Sequence, residues 1–112
     1  MPVAFSMEEQ SWLDEVRHLL AERFADTVER LVVFGSKARG DAREESDLDL
    51  LLLIRYGDWR VKDAIARELH DLAIGTDVVP SVQIYTTAEW DRLKELESVF
   101  RETVEREGVT VG

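Results

Sequence analysis

Five consecutive aliphatic residues, Leu50 to Ile54, constrain this chain more than any other stretch. A strand with one face in water alternates apolar and polar side chains. Leu50-Leu51-Leu52-Leu53-Ile54 does not alternate. As a strand it must be covered on both faces, in the middle of a sheet with packing layers above and below. Immediately before it stands Asp47-Leu48-Asp49. Residues two apart on a strand point the same way, so the two carboxylates project together while Leu48 turns to the opposite side. Two like charges held this close are costly unless a cation neutralises them. A hard divalent ion such as magnesium takes oxygen ligands and is commonly held by one or two carboxylates plus substrate phosphates.

The upstream residues supply the rest of such a site. Val32, Val33 and Phe34 end a preceding apolar run, and Gly35-Ser36 follows, with ten residues between Ser36 and Asp47. Gly35 lets the chain turn sharply and lets a ligand approach the backbone. Ser36 is expected to cap a short helix whose free amides attract phosphate oxygens. Lys37 is expected to be a solvated charge near the site. Arg39 is either a phosphate contact or a surface ion-pair partner of the nearby Asp41 or Glu44. These residues together predict a triphosphate cradled by Gly35-Ser36 and bridged by magnesium to Asp47 and Asp49.

The remaining chain reads as helix, strand, turn, strand, helix, strand, helix. Ser6 followed by Glu8 and Glu9 marks a helix start, and Leu13, Val16, Leu20 and Phe24 recur at helical spacing. Leu31–Phe34 is the first predicted strand and Asp47–Ile54 the second. Val61, Ile65, Leu69 and Leu72 mark a second long helix ending near Gly75. Val78–Tyr85 is the third strand. Thr87 is expected to cap one last helix carrying Trp90, Leu93, Leu96, Phe100 and Val104, with Gly108 at its end. The fold class this predicts is α/β (α+β), a single domain with a small mixed sheet and helices packed on it. Trp90 and Phe100 fit a core. Trp12 and Trp59 lie near element ends, where exposure would suggest a protein interface. His18 and His70 fall within the helices and have no second histidine at ligand spacing.

Charge and length narrow the function. The net charge is −10 over 112 residues, which disfavours nucleic acid as the main partner, since phosphate backbones recruit basic surfaces. There is no cysteine, so disulfides and thiolate metal sites are excluded. The longest wholly apolar run is far shorter than a membrane span, and MPVAFSMEEQ lacks the pattern of a signal peptide. The expected setting is cytoplasmic.

At Gly35, Ser36, Asp47 and Asp49 the chain resembles the DNA polymerase beta-type nucleotidyltransferases, and more narrowly the minimal nucleotidyltransferases. Ala38-Arg39-Gly40 and Ser46 also fit, as do Thr87-Ala88-Glu89-Trp90 and Glu107-Gly108-Val109 in the tail. The resemblance implies a polymerase beta palm-like core, with Asp47 and Asp49 as catalytic metal ligands and two magnesium ions on a nucleoside triphosphate, ATP being the one expected. Gly35, Ser36 and Arg39 would bind the nucleotide. An acceptor oxygen attacks the α-phosphate and pyrophosphate leaves. Family members usually carry a third carboxylate on a neighbouring strand; the matching position here is Ser81. Asp77, the nearest acid, lies four residues away, roughly 13 Å along a strand. Pro80 between them marks an edge strand or a bulge that shifts the register. Either Asp77 or another acid completes the site, or transfer is weak or absent while nucleotide binding survives.

Larger relatives add an acceptor-binding domain, so the resemblance implies that a separate chain supplies it here. Minimal nucleotidyltransferases are often paired with small helical HEPN proteins, and some act as antitoxins that adenylylate a partner tyrosine. The competing expectation is a catalytically weak or inactive module that binds nucleotide or neutralises a partner by contact. Aminoglycoside modification is weaker, because it generally needs an added drug-binding domain.

Overall fold

The computed structural model describes residues 5–40 and 47–112. Its elements run α1 (Met7–Arg23), β1 (Val28–Phe34), α2 (Gly35–Arg39), β2 (Leu48–Ile54), α3 (Trp59–Ala73), β3 (Pro80–Thr86), α4 (Thr87–Glu95), α5 (Val99–Glu107) and β4 (Val109–Thr110). The four strands form one sheet in the order β3-β2-β1-β4. β2 is antiparallel to β1 and parallel to β3, and β4 is antiparallel to β1. The sheet is therefore mixed, as the sequence predicts.

β2 lies inside the sheet, and both of its faces are covered. Leu48, Leu50, Leu52 and Ile54 meet Trp12, Leu13, Val16 and Leu20 of α1 and Ile65 and Leu69 of α3. Leu51 and Leu53 turn the other way, into a second core with Val32, Trp90 of α4 and Val104 of α5. Each fully buried leucine contributes about 1.5–3 kcal/mol, so the unbroken aliphatic run is what both helical layers pack upon.

The helix ends follow local hydrogen-bond chemistry. Ser6 opens α1 with a capping box: its hydroxyl accepts from the Glu9 N–H, and the Glu9 carboxylate accepts from the Ser6 N–H. Asp58 caps α3. α4 is capped by Thr86, one residue before the expected Thr87, in a second capping box with Glu89. The predicted single last helix is two helices. Glu97 adopts a left-handed φ of 54°, and the Ser98 hydroxyl accepts from the Arg101 N–H to start α5. This bend leaves Leu96 64% exposed. It also brings Phe100 back to the sheet, edge-on to Trp90 at 6.0 Å. Gly108 ends α5, as expected. The chain then adds β4, a strand too short for alternation to announce it.

Trp12 departs from expectation. It is 2% exposed, and its Nε1–H donates to the Leu69 carbonyl at 3.1 Å, joining α1 to α3. It sits four residues before Val16 and so belongs to the apolar stripe of α1. Trp59, 69% exposed, follows the prediction. No helix among the described residues is long and apolar enough to cross a membrane.

Candidate active site at the tips of β1, β2 and β3

Strand pairing gathers the predicted residues at one end of the sheet. Phe34, the last residue of β1, pairs with Asp49, so Gly35 follows directly beside the Asp49 side chain. Gly35 has φ +75°, and a Cβ at that position would collide with the Asp49 carboxylate. Only glycine both adopts this turn and leaves that space. Leu48 is wholly buried on the opposite face and anchors the acidic tip. Asp47 precedes β2 and is exposed, while Asp49 is half-buried.

The electrostatics fit the geometry. The Asp49 carboxyl is held above its ordinary value, first by burial and then by the negative charge of Asp47. The positive charge of Arg39 and a hydrogen bond with Ser81 oppose the shift but do not cancel it. The tip of β2 therefore carries more negative charge than its surroundings compensate. The Asp49 carboxylate, with that of Asp47 beside it, is a suitable oxygen donor for a divalent cation.

The short α2 differs from expectation in two respects. Ser36 is its second residue, not its cap; Phe34 occupies the N-cap position without a side-chain bond. Lys37 is not a solvated charge. Its side chain is 7% exposed and pairs at 3.1 Å with the Glu9 carboxylate, also 7% exposed. The lysine falls on the face of α2 turned toward α1, where sequence proximity to the motif gave no warning. Arg39 reaches Glu107 of α5 at 3.5 Å and contributes its charge at Asp49. Asp41, Glu44 and Ser46 lie outside the described residues.

The register settles the position facing Asp49. β2 and β3 pair without a break from Leu48–Pro80 to Ile54–Thr86, with Ser81 opposite Asp49. Pro80 thus opens an edge strand and introduces no bulge, the placement proline tolerates. The carboxylate–hydroxyl hydrogen bond occupies the place where the family resemblance expects a third acid. Asp77 lies before β3, exposed, with its N–H donating to Glu8 at 2.6 Å. Among the described residues no group of three acids, histidines or cysteines could hold a metal ion, so Asp77 is not grouped with Asp47 and Asp49. His18 and His70 are exposed on their helices. Sequence reasoning missed Glu9 and Glu107. Glu9 was legible only as a helix-start acid, and nothing local ties Glu107 to Arg39.

Comparison with known proteins yields a consistent set of similarities. Residues 13–106 match the family model described as nucleotidyltransferase domain. The chain is 33% identical over 87 residues to a candidate protein adenylyltransferase of Methanocaldococcus jannaschii, MJ0141, covering 77% of this chain and 81% of that protein. A solved structure described as a candidate minimal nucleotidyltransferase superposes with a TM-score of 0.57 at 31% identity, over 89% of this chain and 92% of that one. A crystal structure of a toxin–antitoxin with AMP-PNP has a TM-score of 0.56 at 20% identity, over 87% of this chain and 69% of that one, a likeness of fold.

Proposed function

Because this chain belongs to the nucleotidyltransferase domain family, we propose that it transfers AMP from ATP to an acceptor hydroxyl, with magnesium held by Asp47 and Asp49. The acceptor hydroxyl belongs to a separate protein, a small helical HEPN-type partner, and the chain serves as the antitoxin of the pair. The observation that carries the chemistry is the Asp49 carboxylate. It lies against Gly35 and beside Asp47, with its pKa raised by burial and by that neighbouring charge. The name of the M. jannaschii relative, a protein adenylyltransferase, supports AMP as the transferred group. The fold shared with a toxin–antitoxin bound to AMP-PNP supports the nucleotide and the partner.

In this reading Asp47 and Asp49 supply oxygen ligands from the tip of β2. Gly35 keeps the β1–α2 turn open to the phosphates, and Ser36 and Arg39 bind phosphate oxygens. Bound magnesium neutralises charge on the triphosphate and on the departing pyrophosphate. The acceptor oxygen bonds to the α-phosphorus as the bond from that phosphorus to the bridging oxygen breaks, pyrophosphate leaves, and the hydroxyl proton passes to solvent. The test is transfer of label from α-labelled ATP, with magnesium, in the presence and absence of the protein encoded by the adjacent gene as candidate partner. Label should appear on the partner, and Asp47→Ala and Asp49→Ala should each abolish it. Unlabelled partner with the wild-type chain would sink the reading.

Ser81 favours one alternative, a nucleotide-binding module that neutralises its partner by contact. A hydroxyl facing Asp49 offers a bound cation less charge than a carboxylate. Tight magnesium-dependent nucleotide binding without pyrophosphate release would select that alternative.

A further inference from the structure

α2 carries Gly35, Ser36 and Arg39, yet it is only five residues long. A helix of that length has no stability of its own, so tertiary contacts must fix its position. Ala38 is buried beneath it, and Arg39 meets Glu107 on one side. On the other side Lys37 enters the protein and places its Nζ 3.1 Å from the Glu9 carboxylate. That carboxylate is already oriented, because it closes the capping box of α1 by accepting from the Ser6 N–H at 2.9 Å. The neighbouring Glu8 accepts from the Asp77 N–H at 2.6 Å. One turn of α1 is therefore bonded both to α2 and to the segment leading into β3, the two sides between which Asp49 lies.

Burying an ion pair is an inefficient route to stability. Desolvation consumes much of the Coulomb gain, and apolar residues of similar volume often serve as well or better. What such a pair does provide is direction, since its hydrogen bonds are satisfied in one arrangement and not in neighbouring ones. A slide or rotation of α2 would break the Lys37 contact and leave two charges buried without partners.

We infer that Glu9 and Lys37 are positioning residues of the nucleotide site: their buried pair holds α2, and with it Gly35 and Ser36, in register with Asp49, and neither side chain touches the nucleotide. This rests on the reading of that site as a nucleotide site. Two variants, read by binding as well as by Tm, separate positioning from simple stabilisation. Lys37→Met leaves Glu9 as a lone buried charge and lowers Tm sharply. The double variant Glu9→Gln/Lys37→Met removes both charges at nearly constant volume, and glutamine still closes the capping box. Its Tm recovers most of the loss.

The decisive measurement is binding of a non-hydrolysable ATP analogue with magnesium, by calorimetry, beside Tm for each variant. Positioning predicts that the double variant stays weakened by about 10- to 100-fold, the usual cost of losing the groups that orient a binding shell. Recovery of affinity in step with Tm would overturn the inference. Amide hydrogen exchange of residues 35–39, in protein without nucleotide, provides an independent measurement. It should quicken in the double variant while α1 and β2 are unchanged; unchanged exchange at 35–39 overturns the inference. A wild-type chain that binds no nucleotide would defeat the underlying reading of the site, while the exchange result would still judge the role of the pair.

Discussion

The Asp49 carboxylate is half withdrawn from water beside Gly35 and faces the charge of Asp47, so its ionised form is less favourable in the folded chain than in the unfolded one. Its folded pKa lies above the ordinary 3.8. The folded state therefore keeps the proton where the unfolded chain has released it. Stability falls as pH rises through that window, and the deficit persists at neutral pH. Asp49→Asn should raise the stability of the cation-free protein by about 0.5 kcal/mol, or about 2–4 °C in Tm, after allowance for screening by solvent. The same variant should lose magnesium-dependent nucleotide binding. Thermal melts in EDTA, paired with calorimetry, measure both; an unchanged or lower Tm contradicts the argument. Ser81 makes the complementary case. Its hydroxyl donates to Asp49, so Ser81→Asp replaces a favourable bond by a like charge. The cation-free protein should lose about 1 kcal/mol. Magnesium or manganese should restore it, because three carboxylates bind a hard cation more tightly than two. Melts with and without the cation test this, and a variant that magnesium fails to rescue would show that position 81 does not face the cation.

Among the elements, α4 starts at the end of β3 far from Ser81 and packs Trp90 into the second core, and its first turn is tied to α3. The Glu89 carboxylate accepts from the Thr86 N–H at 2.8 Å and from Lys62 at 2.7 Å. Its pKa is lowered from 4.5, first by the bond from Lys62 and then by the backbone bond. A depressed carboxylate stabilises the fold above its unfolded value, and the contribution is lost as pH falls below 4.5 through the folded value. Glu89→Gln keeps a capping side chain but loses the charge. It should cost about 0.5 kcal/mol at neutral pH, the scale of an exposed pair. The melting curves of variant and wild type should converge progressively as pH falls below 4.5; a gap of constant width would refute the linkage. The elements also show what the sequence could reveal. β2 was legible because Leu50–Ile54 admits no exposed face. α1 and α3 were legible because their apolar residues recur at helical spacing. The break between α4 and α5 was not: Trp90, Leu93, Leu96, Phe100 and Val104 keep that spacing across it, and the turn rests on Glu97, a residue with no preference for a left-handed φ. The Gly35–Asp49 half of the site was legible from motif spacing. The Glu9–Lys37 pair behind it was not, because it joins residues brought together only when α2 packs on α1.

For the whole molecule, the arginines and lysines of the described surface are largely engaged in local pairs. Arg17 meets Asp14, Arg30 meets Glu105, Lys62 meets Glu89 and Arg67 meets Asp63. These pairs cancel charge in place and leave the net −10 to set the distant field. A triphosphate approaching the strand tips is thus repelled at long range and attracted only near Arg39 and a bound cation. Salt acts on the two ranges differently. Raising it from about 20 to about 200 mM shortens the screening length from about 20 to about 7 Å. That removes most of the distant repulsion and little of the contact attraction. The association rate of a magnesium-bound, non-hydrolysable ATP analogue should therefore rise, by about two- to threefold. A basic protein binding a nucleic acid shows the opposite sign. Association with a basic partner surface should slow over the same range, since there the distant field attracts. Stopped-flow measurement of both rates checks the pair of signs. A nucleotide on-rate that falls with salt would mean that the positive charge around Arg39 dominates the approach, against the acidic bulk of the chain.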